Sequence, residues 1–338
     1  MKLKQIVGII WAALIITGFA PLSKISAGEK LLCSTYPVYL FTRAVAEGRQ
    51  HYEIDLMLDS ALGCPHDYAP TPAELKRLSQ AKLLVINGLG LESFLGRALS
   101  VASDDLKIID ASGGSIGNKT GEAATKVLSR QQALDEAAGF LAAHDHDHGH
   151  GSDQNHDHSH CTVNAHLFAA PSTASAMVKA IAGGLSAVDP AGAELYAANA
   201  ASLSRELEDL GAEMKAAGDG LNNPKVIISH SIFEYLARDL NFTVVAAIEE
   251  EDGAEPSAAR LAELVKLAKR EEVRAVLVDT QSNQALARTL GEEAKVPVVV
   301  IDPVASGPAE ASADYYQKTM VANLQALLKI MGGPVEKK

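Results

Sequence analysis

The chain reads as an α/β protein of two lobes, each with a parallel sheet of about four strands flanked by helices, joined by one long rigid helix. Two observations predict this. A rhythm of short, continuous apolar runs alternating with helical stretches appears twice, and runs of that kind indicate parallel strands covered on both faces. Between the two occurrences lies a long stretch with no strand signal, rich in Ala, Leu and Glu at a spacing near 3.6.

In chain order, residues 1–27 carry Lys2 and Lys4, then the apolar run Ile6–Ala20, then Ser26-Ala27 ahead of Gly28. A charged start, an apolar middle and a small-residue end make an export signal cleaved near Ala27, placing the mature chain in the periplasm. The apolar run is short for a membrane span, so no stable membrane insertion is expected after cleavage. Removing Lys2, Lys4 and Lys24 moves the net charge from −12 to −15. An acidic surface argues against nucleic acid and suits a cationic ligand.

About 310 remaining residues suffice for two ordinary domains. Strands are expected at Lys30–Ser34, Tyr52–Leu58, Lys82–Ile86 and Leu106–Ile109, then at Lys225–Ser229, Phe242–Ala247, Ala275–Val278 and Val298–Ile301. The divisions that follow are an N-terminal lobe at 28–170, a connecting helix at 171–217 broken near Asp189-Pro190, and a C-terminal lobe at 218–338.

Seven of the eleven histidines, His144, His146, His148, His150, His156, His158 and His160, fall in one polar run interleaved with Asp145, Asp147, Asp153 and Asp157. With no apolar residue to bury, this run is expected to be a solvated loop that collects metal ions. A low-complexity insert without a role is the plainer alternative.

The other histidines are His51, His66, His166 and His230. Open parallel sheets bind ligands outside the carboxyl ends of their strands. His66 follows the second strand, His230 ends Val226–Ser229, Asp279 ends Ala275–Val278, and Asp302 ends Val298–Ile301. His166 precedes the connecting helix, at the junction of the lobes. All five are therefore expected at one cleft. Each alone has a dull explanation as a satisfied polar residue, and His51 reads as a surface residue. Strand-end placement leaves Asp279 and Asp302 equivalent.

These residues sit in motifs that resemble the zinc-binding solute receptors of bacterial ABC importers. The similar stretches are Ser34–Tyr39, Cys64-Pro-His-Asp-Tyr-Ala-Pro-Thr-Pro-Ala-Glu74, Asn87–Glu92, Asn164-Ala-His166, Ser229–Arg238, Glu255–Ala258 and Ile301-Asp-Pro-Val304. They cover nearly the whole mature chain in order. The resemblance implies two lobes around a bound ion, high-affinity Zn2+ capture, an ABC permease as partner, a monomer and no catalysis. Carried over, the ligands are His66, His166, His230 and Asp302, with Asp279 an alternative or an acceptor for an imidazole N–H. Three imidazoles and a carboxylate suit tetrahedral zinc, whereas manganese prefers more oxygen. Two positions depart from the pattern: Cys64 stands where an acidic residue is usual before Pro-His, and Ala165 where proline is usual.

If His66 and His166 share one ion, Cys64 and Cys161 are neighbours that can pair as a disulfide, with a thiolate ligand the less favoured alternative in an exported receptor. Cys33, in an apolar strand, reads as a buried thiol. A receptor for manganese or another divalent metal, and an exported metallochaperone or adhesin, remain alternatives. A zinc hydrolase is the least favoured, because there is no His-Glu-x-x-His pattern and no further general base is evident near the ligands.

Overall fold

The computed structural model describes residues 28–65, 68–113, 125–136, 164–249 and 256–332. The expected export signal, His66, Cys161 and the histidine-rich run lie outside the described residues. Among those described, no helix is long and apolar enough to cross a membrane.

Two sheets form where the apolar rhythm places them. In the first, β1 (Glu29–Cys33), β2 (Tyr52–Leu56), β3 (Leu83–Ile86) and β4 (Lys107–Asp110) run parallel, with β5 (Val127–Ser129) antiparallel at the edge, in the order β2-β1-β3-β4-β5. The sequence reading did not include β5. It has three residues, Val-Leu-Ser, too few for any alternation, and its pairing with Ile108 and Ile109 alone defines it. The second sheet contains β6 (Lys225–Ile228), β7 (Thr243–Ala247), β8 (Ala275–Asp279) and β9 (Val298–Ile301), all parallel, ordered β7-β6-β8-β9. Every residue of β8 is buried, as expected of a central parallel strand with both faces covered.

Helices α1 (Tyr36–Val45), α2 (Pro72–Gln80) and α3 (Leu95–Ala98) accompany the first sheet. Helix α2 starts where Thr71 and Glu74 form a reciprocal capping box with Pro72 at the first helical position. The central run divides at Asp189-Pro190, as the sequence suggested. Its parts are α4 (Pro171–Val188) and the 27-residue α5 (Ala193–Asp219), about 40 Å long. The two pack antiparallel, with Ser175 and Lys179 of α4 both bonded to Glu208 of α5. The turn is pinned to the first sheet's corner. Arg49 donates twice to the Asp189 carboxylate, at 2.8 and 2.9 Å, and Tyr196 donates at 2.6 Å. Arg49 accordingly holds the Asp189 pKa down to about 2.

Around the second sheet lie α6 (Glu234–Asp239), α7 (Ala258–Arg270), α8 (Gln284–Ala294) and α9 (Tyr315–Met331). One apolar core runs from the inner face of the first sheet through α4, α5 and α9 to the second, and a smaller cluster lies under each sheet. Across the junction, Phe41 meets Tyr316 edge-on at 5.2 Å, Tyr316 donates to the Phe168 carbonyl, and Gly307 N–H donates to Ser60. The lobes meet through well-packed aromatics, and the cleft opens beside that contact.

Candidate metal site

His166 is 2% exposed, at the end of an irregular segment just before a turn of 3-10 helix, Leu167–Ala169, and α4. Asn164 orients it. The Asn164 side-chain nitrogen donates to the Ser231 carbonyl at 2.7 Å and the Glu234 carboxylate at 2.8 Å, both pure acceptors. Its oxygen must therefore face His166, where it accepts from the backbone N–H at 2.9 Å and from Nδ1 at 2.8 Å. The ring proton sits on Nδ1, and Nε2 presents its lone pair. Tyr235 adds a hydrogen bond to the Asn164 carbonyl at 2.8 Å. These bonds tie the segment from the first lobe to the turn that follows β6.

That turn carries His230. Its ring centroid is 4.9 Å from that of His166, at 77°. His230 precedes the 3-10 turn Ser231–Phe233, and its Nδ1 accepts the Ile232 N–H at 3.1 Å. Nδ1 is thus an acceptor, and the neutral ring carries its proton on Nε2. Cys64 approaches from the loop after β2, with Sγ 3.2 Å from His166 Nε2.

The strand-end rule holds across the second sheet. A cavity of about 330 Å³ is lined by Cys64 and Leu62 from one side, and from the other by His230, Glu249, Asp279 and the Pro303–Ser306 turn. The two aspartates, equivalent in sequence, differ here. Asp279 lines the cavity but is committed: Oδ1 accepts from Gln281 N–H and Ser282 N–H, each at 2.6 Å, and Oδ2 from the Ser282 hydroxyl. Asp302 accepts one bond, from Val304 N–H at 2.8 Å. Burial raises the Asp302 pKa, only partly offset by that bond, and the negative charge of Asp279 pushes the same way. Asn323 of α9 fixes the Asp302 backbone on both sides, accepting from its N–H and donating to its carbonyl.

A buried carboxyl supports the site from behind. Glu92 accepts from Ser34 Oγ and Asn87 N–H, both at 2.6 Å, and from Gly88 N–H at 3.2 Å, yet burial still pushes its pKa up to about 7. Asn87 in turn donates to the carbonyl of Ala165 at 2.8 Å, fixing the residue before His166. Gly88 has φ +85°, and a Cβ there would overlap the Asp110 carboxylate, so glycine alone fits.

The structure thus brings together His166, His230 and Cys64, and sets Asp279 and Asp302 at the neighbouring strand ends. His51 stands apart, its ring against Tyr52 and 3.8 Å from Glu29. Among the described residues no three His, Cys, Asp or Glu side chains are arranged to hold an ion by themselves. His66 lies outside them, next to the buried Pro65. Sequence reasoning missed Glu249, which follows β7 and could have been found by the same strand-end rule. It also assigned no role to Asn164, although that residue lies two before a ligand candidate.

Two α/β lobes with the imidazole of His166 beside that of His230, which follows β6, have the arrangement of a metal-binding solute receptor. The chain belongs to the ZnuA family, the periplasmic component A of zinc-uptake complexes, whose profile matches residues 31–330. It is 31% identical over 303 residues to the zinc-binding lipoprotein AdcA of Streptococcus pneumoniae, covering 88% of this chain and 54% of that protein. The chain therefore spans about half the length of that relative. It is 27% identical over 307 residues to the high-affinity zinc uptake system protein ZnuA of Bacillus subtilis, covering 89% and 88%. The FpvC solute-binding protein of Pseudomonas aeruginosa, solved in complex with Mn2+, shares the fold at TM-score 0.69 and 21% identity over 90% of this chain and 98% of its own. The family of this chain is thus one named for zinc uptake, and the two curated relatives carry zinc-binding and zinc-uptake names.

Proposed function

We propose that this protein is an exported Zn2+ receptor that captures the ion between its lobes and hands it to an ABC permease. The observation that carries the reading is the His166–His230 pair, two imidazoles from different lobes 4.9 Å apart, with His166 Nε2 facing Cys64, a residue of the cavity lining. His66, two residues beyond Cys64, supplies the third imidazole, with Asp302 as the accompanying carboxylate. Asp302 suits that role because only one hydrogen bond from the described residues engages its carboxylate, whereas Asp279 is saturated and acts as a scaffold for residues 281–282. In this reading residues 1–27 are removed on export, the lobes divide at 28–170 and 218–338 about the 171–217 connection, and the mature chain works as a monomer. The histidine-rich run 144–160 gathers metal ahead of the cleft.

A nitrogen-rich set favours zinc, whereas the fold alone is shared with a protein solved with Mn2+. Titrating the metal-free chain with Zn2+ and Mn2+ in competition tests the assignment. One tight Zn2+ per chain, with Mn2+ unable to displace it at equal concentration, is expected. Preferential Mn2+ retention would overturn it.

A further inference from the structure

Cys64 is the one sulfur among the described residues lining the cavity. It occupies the position before Pro65 where, by the resemblance, an acidic residue is usual. Its Sγ lies 3.2 Å from His166 Nε2. Because Asn164 fixes the ring proton on Nδ1, the thiol S–H donates to Nε2, and its proton sits on the line where a ligated ion would sit. The geometry is close to that of a metal site. A tetrahedral zinc bound at about 2.3 Å to sulfur and about 2.05 Å to nitrogen separates those atoms by about 3.6 Å. A retreat of Sγ by about 0.4 Å would therefore admit the ion.

We propose that Cys64 is a direct ligand of the captured ion, so that the site is a nitrogen–sulfur site selective for thiophilic divalent cations such as zinc. On binding, the ion takes the lone pairs of Sγ and His166 Nε2, and the thiol proton leaves to solvent. With His66 and His230 the sphere then holds three imidazoles and one thiolate. Cys64 thereby takes the place that the receptor reading gave to Asp302, which acts instead as a nearby negative charge against the cation. A soft ligand at this position separates zinc from manganese more sharply than a carboxylate would. The inference rests on the receptor reading above and deepens it.

The test is Co2+ titration of the full-length protein, purified from its export compartment without reductant. One Co2+ per chain is expected, with tetrahedral visible bands and a thiolate-to-cobalt charge-transfer band in the near ultraviolet. Cys64→Ser should still bind Co2+ through its imidazoles but lose the near-ultraviolet band, and Cys161→Ser should keep it. Tetrahedral Co2+ without charge transfer in the unsubstituted protein, or a band that persists in Cys64→Ser, would overturn the proposal and leave the receptor reading standing. So would peptide mapping that finds Cys64 joined to Cys161 in the metal-loaded protein. No Co2+ bound at all would remove the receptor reading, and Cys64's role with it.

Discussion

His166 and His230 lie 4.9 Å apart, yet their surroundings hold the ring proton on opposite nitrogens. Asn164 keeps it on Nδ1 of His166, with Nε2 ready to bind. At His230 the Ile232 N–H points at Nδ1, which leaves the proton on Nε2. An ion on His230 Nε2 requires the proton on Nδ1, where it would meet the Ile232 N–H donor for donor. His230 must therefore give up its cap when it ligates, whereas His166 gives up nothing at Nδ1. One wall of the cleft is preset and the other is held in a resting hydrogen bond.

The strongest way to break this comparison is to separate ligation from capping at His230. In His230→Asn the side-chain oxygen can accept the Ile232 N–H as Nδ1 does, and asparagine is among the best capping residues. The metal-free protein should melt within a few degrees of the original. Zinc affinity should fall by more than the roughly 10–100-fold expected of residues outside the ligand sphere. His166→Ala should show a loss of the same size, while His51→Ala should show none. Calorimetry finding undiminished affinity in His230→Asn would end the ligand assignment.

A smaller effect is expected at Asn164, which sharpens the contrast because it touches His166 without reaching the ion. Asn164→Ala removes the acceptor at Nδ1 and the two donations to Ser231 and Glu234. The ring is then free to choose the other tautomer and to turn, and zinc affinity should fall roughly 10–100-fold. An unchanged affinity would mean that burial alone orients His166.

Most of the scaffold was legible because parallel strands buried on both faces leave continuous apolar runs. Ala275–Asp279 and Lys225–Ile228 are of this kind, and the strand-end rule then carries His230, Asp279 and Asp302 to one side of their sheet. The break at Asp189-Pro190 was legible from the proline, but its anchoring by Arg49 and Tyr196 joins residues 140 and 7 positions away, which no local pattern encodes. β5 was not legible, since three residues carry no period. The two aspartates show where sequence stops in the site itself. Both end a strand after an apolar run, and only the turn geometry of Gln281–Ser282 against Pro303–Val304 shows that one carboxylate is saturated and the other is not.

The smallest effect on the tight site should come from the histidine-rich run, and this sharpens the comparison by extending it from preset and switched ligands to a stretch whose polar sequence offers no apolar residue to bury. An ion bound in a polar run must order the chain that holds it, and that entropy weakens binding relative to imidazoles fixed by Asn164 and the β6 turn. Deleting Asp145–His158 should therefore abolish weak zinc equivalents and leave the single tight one unchanged. Acid should act in the same order. Zinc competes with protons for imidazole, whose ordinary pKa is about 6.5, so the more weakly held ions should leave first as pH falls. A calorimetric titration with two resolved classes of site checks both points. If the deletion removed the tight class, residues 144–160 would be part of the primary site, and the fixed pair His166 and His230 would not suffice with His66 to define it.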